Sequence, residues 1–187
     1  MNTRDIVLVA LFAAITVVLG LLPPIPLGFI PVPITAQSLG PMLAGCILGA
    51  RRGAAAMLLM VLLVAIGLPV LSGGRGGLAI LVGPSAGYIA GWVVGAFVCG
   101  LIAERFVREE QAERTQFIAF FAAAVVGGIG AVHLLGIPWL AYAAGLSLVD
   151  AAKASAGFVP GDLIKAGVAM LAGRAVLAGY PLLPQRA

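Results

Sequence analysis

The sequence predicts an all-α, polytopic membrane protein with six transmembrane helices and both termini in the cytoplasm. Three observations lead there. Of 187 residues, 62% are hydrophobic and 10% charged, against about 45–50% and about 25% in soluble domains. Six apolar runs approach the roughly 20 residues that a helix needs to cross a bilayer. Most Lys and Arg residues collect on one side of the resulting topology, as cytoplasmic loops require.

The first span covers roughly residues 5–22. Arg4 followed by an apolar run imitates a secretory leader, but "LGLLPPIPLG" has no A-x-A-like cleavage site and further spans follow, so it is expected to stay as a mature helix. "PPIPLGFIPVP" (23–33) cannot continue a helix and makes an ordered, extended connection. Spans two and three, roughly 34–50 and 53–71, are separated by "RRG" (51–53), which predicts a tight turn. The glycine loop "SGGRGG" (72–77) leads into span four, roughly 79–103, and the charged segment 104–114 into span five, roughly 116–136. Pro138 is expected to close that span. Residues 139–157 suggest an amphipathic piece at the outer surface, with Asp150 and Lys153 in a solvated contact. The sixth span is roughly 159–179.

Arg4, Arg51, Arg52, Arg105, Arg108, Arg114 and Arg186 fall on one side, with Arg174 near it; Arg75, Lys153 and Lys165 fall on the other. This bias places both termini in the cytoplasm and accounts for the net charge of +4 without a nucleic-acid partner. With no repeat and no second composition, residues 1–187 form a single integral membrane domain. Gly83, Gly87, Gly91 and Gly95 stand four apart, as do Gly45, Gly49 and Gly53; such stripes suit close helix packing. Cys46 and Cys99 lie in apolar runs and are expected as buried small hydrophobes rather than a disulfide.

Several chemistries lack their motifs. There is no G-x-x-x-x-G-K-[ST] loop for ATP, so any uphill transport draws its energy from elsewhere. "GGIGAVH" (127–133) sits within a span with no strand before it, and the lone His133 has no second ligand at metal spacing; helix packing explains it better. No nucleophile–base arrangement is visible, and the chain is expected to be neither an enzyme nor a holder of metal or cofactor.

The chemistry that does stand out is "FVPGDLIKA" (158–166). Asp162 and Lys165 share one helix face in an apolar span, where charge is costly. A capping aspartate with a snorkelling lysine is one reading. Company on the same side of the membrane favours another: Gln37, Arg75, Ser85 and Tyr88 all lie near outer ends of spans. Together they suit an outward-facing pocket for a small polar ligand that carries its own carboxylate. A proton- or ion-coupled secondary carrier using the Asp162–Lys165 pair, and a non-transporting scaffold, stay open beside it.

At these residues the sequence resembles the BioY family, the biotin-binding substrate (S) components of energy-coupling-factor vitamin transporters. The matching stretches are "PVPITAQSLGPMLAG" (31–45), "GARRGA" (49–54), "GLPVLSGGRGGLAILVGPSAGY" (67–88) and "GFVPGDLIKA" (157–166), in the family's order. Where the family usually has G-P-T, this chain has Ser85, which keeps the hydroxyl. The resemblance implies a six-helix fold in a bacterial cytoplasmic (inner) membrane, in contact with lipid, with a vitamin pocket near the extracellular face. It implies that Asp162 and Lys165 serve biotin's ureido ring, that Gln37 assists, and that Arg75 takes the valerate carboxylate. Tyr88 would pack on the bicyclic ring or bond through its hydroxyl. On the first span, Ala10 and Ala14 form an A-x-x-x-A stripe that internal packing would explain. Under the resemblance they become candidates for docking a transmembrane coupling protein, whose ATPases supply the energy.

Overall fold

The computed structural model describes residues 1–28 and 30–184, so Arg186 lies outside the described residues. The fold is all-α. The described residues contain two isolated β-bridges, Ile25 with Ile34 and Leu71 with Arg75, and no strand. Helices α1 (Thr3–Leu19), α2 (Leu39–Leu48), α3 (Ala50–Ala65) and α4 (Ala86–Phe106) come first. Then α5 (Glu113–Ala123) runs through a π-helical segment (Ala124–Ala131) into α6 (Val132–Ala144) as one rod. A short α7 (Leu148–Ser155) and α8 (Val159–Gly179) complete the bundle. Counting α5–α6 as one rod and setting α7 aside gives six principal helices among the described residues. Both α4 and the Glu113–Ala144 rod are long and apolar enough to cross a membrane.

Helix α4 is the centre of the bundle, packed against α2, α3, α5, the π segment and α6. Its glycines make this possible. A Cβ on Gly91 would stand 3.0 Å from the Val132 backbone, and one on Gly95 would stand 2.7 Å from Val132 Cγ2 and 2.8 Å from the Gly127 carbonyl oxygen. Gly83 differs from the stripe expected of it: it lies before α4, with its nearest neighbour 3.4 Å from a built Cβ. Gly95→Leu is therefore expected to lower stability by about 1–3 kcal/mol or more through overpacking, whereas Gly83→Ala stays near wild type. Thermal unfolding of the detergent-solubilised proteins measures this; equal midpoints would remove the stripe's packing role.

Other features also depart from the sequence expectation. The turn between α2 and α3 is at Gly49, and Arg51–Gly53 already belongs to the first turns of α3. Gly49 has φ +84°, a backbone that L side chains rarely adopt. Buried Glu104 reaches from α4 to accept the Ala50 N–H at 2.8 Å, which fixes the start of α3. Pro138 does not close its span but sits inside α6, exposed on the outside of the rod. There the next residue, Trp139, donates its Nε1–H to the Gly83 carbonyl at 2.9 Å and holds the helix against the loop before α4. The rod ends instead at Gly145 in the left-handed region, φ +65°. Asp150 partners Ser147 rather than Lys153, accepting its hydroxyl at 2.6 Å while its own N–H donates to Ser147 Oγ at 3.1 Å, a helix N-cap.

Across the 23–33 connection, Ile25 and Ile34, the residue that follows it, exchange two backbone hydrogen bonds of 2.9 Å. Ile30 and Val32 are buried, so this connection folds back onto the bundle. Cys46 and Cys99 are free and buried, with their sulfurs 3.4 Å apart. That matches their expected role as small packing residues.

Candidate functional site

Beneath Val32–Thr35 lies a cavity with about 640 Å³ of atom-free space, its mouth included. All six residues expected at a ligand site—Gln37, Arg75, Ser85, Tyr88, Asp162 and Lys165—are in its wall. The chain brings them from four separate stretches.

Asp162 stands in the first turn of α8, where a carboxylate complements the positive end of the helix. Lys165, one turn on, places Nζ 2.9 Å from Asp162 Oδ1, with both side chains largely buried. A third member was missed in the sequence: Ser38. Its hydroxyl accepts from Lys165 Nζ at 2.8 Å and lies 3.1 Å from Asp162 Oδ1. The 3₁₀ turn Ala36–Ser38 leading into α2 is what carries Ser38 to α8. The sequence signal was only a hydroxyl beside Gln37, which pairs with nothing until the fold is known.

Gln37 is itself committed to the protein. Its Nε2 donates to the Thr16 carbonyl at 3.1 Å and the Val70 carbonyl at 2.9 Å, and its Oε1 accepts the Ser72 N–H at 2.8 Å. Both amide hydrogens are thereby used, and the side chain ties α1 to the glycine loop that carries Arg75. In that loop Leu71 and Arg75 exchange backbone hydrogen bonds of 3.0 and 3.2 Å, and Arg75 Nε donates to the Ser72 carbonyl at 3.0 Å. The guanidinium is thus aimed by its own loop. Ser85 precedes α4 with its hydroxyl unused for capping.

Tyr88 presents its ring. Ser155 donates to the Ala151 carbonyl at 2.7 Å, so the 2.6 Å contact between the two hydroxyls has Tyr88 donating to Ser155. This tie holds α4 to α7. The Tyr88 ring meets Phe158 edge-on at 5.7 Å and His133 edge-on at 5.8 Å. Trp92, Phe158 and His133 also line the cavity, and none had been assigned to a site from sequence. The charged wall residues are Arg75 and Lys165 against Asp162, a net charge of one positive that favours an anionic ligand. Among the described residues no cluster of His, Cys, Asp or Glu could hold a metal.

Helix α1 shows the last of the expected residues. Val9, Phe12, Ala13 and Thr16 face the bundle, while Ala10 and Ala14 are exposed. Packing inside this chain, the plainer explanation of the A-x-x-x-A stripe, therefore does not account for them.

An all-α bundle with two helices long and apolar enough to cross a membrane, and with a buried charge pair in the wall of a largely apolar cavity, defines a membrane protein with a site for a small polar molecule. The chain belongs to the BioY family, whose model matches residues 1–182. It is 63% identical over 187 residues to the biotin transporter BioY of Rhizobium etli, covering 100% of both chains. With the biotin transporter BioY of Rhodobacter capsulatus it shares 52% over 182 residues, covering 92% of this chain and 93% of the relative. The fold is similar, at a TM-score of 0.90, 31% identity and 97% coverage of each chain, to a crystal structure of the S-component for biotin from an ECF-type ABC transporter.

Proposed function

We propose that this chain is the biotin-binding membrane subunit of an energy-coupling-factor transporter and catalyses no covalent reaction. The observation that carries this is the Asp162–Lys165–Ser38 cluster, buried in the wall of an apolar cavity in a chain of the BioY family. A buried ion pair adds little stability over well-packed apolar residues, so its presence calls for a ligand that needs it. The ureido ring of biotin offers N–H groups to the Asp162 carboxylate and a carbonyl to the Lys165 ammonium. Arg75 takes the valerate carboxylate, and the Tyr88 ring packs on the bicycle. Ser85 offers a hydroxyl, and Gln37 holds the wall that they share.

In this reading the chain acts as one membrane domain in a bacterial cytoplasmic membrane. The Arg-rich connections and both termini face the cytoplasm, and the cavity opens to the outside. A transmembrane coupling protein docks on the Ala10–Ala14 face of α1, and its ATPases energise uptake. Calorimetric titration of biotin into the detergent-solubilised protein tests the ligand. Saturable, tight binding of biotin and none of thiamine is the expected result; a folded protein that takes up no heat from biotin would overturn the assignment.

A further inference from the structure

His133 sits just beyond the π segment, in the first turn of α6, with its side chain in the cavity wall. Its Nδ1 lies 2.9 Å from the Ile129 carbonyl oxygen. A carbonyl only accepts, so Nδ1 carries the hydrogen, and in the neutral ring Nε2 is left as a lone-pair acceptor. That Nε2 is buried and has no hydrogen-bond partner. Buried acceptors are normally satisfied, and each exception calls for a reason. The ring is not free to turn away: Tyr88 meets it edge-on at 5.8 Å, and Phe158 lies at 6.1 Å.

Of the other polar groups of the wall, the Thr35 and Ser85 hydroxyls are uncommitted, while Ser38, Gln37 and Tyr88 are engaged within the protein. A cyclic urea carries two N–H groups that diverge on either side of its carbonyl. With Lys165 on the carbonyl, the Asp162 carboxylate reaches one of them. Ser38 is held between Lys165 and Asp162, Gln37 Oε1 already serves the Ser72 N–H, and the Tyr88 hydroxyl is tied to Ser155. Nε2 is an acceptor in the same wall that no protein donor serves.

We propose that His133 is a ligand-recognition residue whose buried Nε2, facing no protein donor, accepts a hydrogen bond from the ureido N–H of biotin that Asp162 does not take. This rests on biotin being the ligand. It also makes His133 a determinant of specificity, because a ligand without an N–H at that point would leave Nε2 unpaired.

The chain has one histidine, so nitrogen-labelled histidine reports on this residue alone. In NMR spectra of the full chain, the free protein should show Nδ1 protonated and Nε2 bare. Adding biotin should move the Nε2 resonance toward that of a hydrogen-bonded acceptor and leave Nδ1 protonated. By calorimetry, His133→Phe, which keeps the aromatic contacts, should weaken biotin binding about tenfold, the size of one hydrogen bond. His133→Gln, which restores an acceptor, should regain part of the loss. Biotin bound with an unmoved Nε2 resonance, or His133→Phe binding like wild type, overturns this inference alone. A wild type that binds no biotin overturns the ligand assignment and this inference with it. If His133→Phe does not fold, the resonance of the wild type decides.

Discussion

Asp162→Ala should weaken biotin binding by about 30-fold to more than a thousandfold and leave the protein in the membrane. Truncating one partner of a buried, hydrogen-bonded charge pair costs about 2–5 kcal/mol or more in binding, at about 1.4 kcal/mol per tenfold. Asp162 is the acceptor for both Ser38 and Lys165 through Oδ1. Removing it frees the ammonium to swing, so the donor to the ligand carbonyl is misplaced as well. Asp162→Asn, which keeps the shape but not the charge, should lie between the two. A ligand role and a folding role separate in the double variant Asp162→Leu with Lys165→Met. Replacing a buried pair by apolar residues of similar volume is often neutral or stabilising, so thermal stability should be retained while biotin binding is lost. A double variant that still binds biotin tightly would remove the pair from the site.

Much of this was legible because bilayer crossing leaves few options. Charges are so sparse that Asp162 and Lys165 stood out, and their helix runs Val159–Gly179, the span read from the sequence. What stayed hidden depends on contacts between distant segments. The sequence points to Arg51–Gly53 for the reversal, yet the chain turns at Gly49, where φ can be positive and where Glu104, 54 residues from Ala50, accepts the first N–H of the next helix. Pro138 reads as a terminator because the contact that holds the helix past it, from Trp139 to the Gly83 carbonyl, spans 56 residues. Nothing local marks the π segment, whose Gly127 backs onto Cys99 and whose Gly128 backs onto Met42. Gln37 was visible as a polar residue in an apolar run, but sequence could not tell that it spends its amide on the wall.

Ala10→Trp together with Ala14→Trp should abolish energised biotin uptake while leaving biotin binding within about twofold, the range expected of exposed substitutions away from a site. Both alanines lie on the exposed face of α1, opposite Phe12 and Thr16, so indole groups there meet no residue of this bundle. Between membrane helices there is little hydrophobic drive, since lipid tails are as apolar as leucine; close approach over small residues does the work. Exposed Ile6, Val7, Leu11 and Val18 surround the two alanines, leaving a shallow strip between larger side chains. A partner helix fits that strip only while its floor is flat. Two tryptophans fill it, and the separation forced on the helices forfeits the dispersion contacts along the whole interface. Leu58→Trp on α3, also at an exposed position, provides the control for crowding the lipid-facing surface. Uptake would be measured in cells that make the coupling protein and its ATPases, with binding measured on the purified variants. Full uptake by the double variant would mean that the coupling protein docks elsewhere. Loss of uptake in Leu58→Trp as well would move the interface to include α3. Uptake lost only in the α1 variant, with binding intact, separates holding biotin, which the cavity does alone, from moving it, which needs this face.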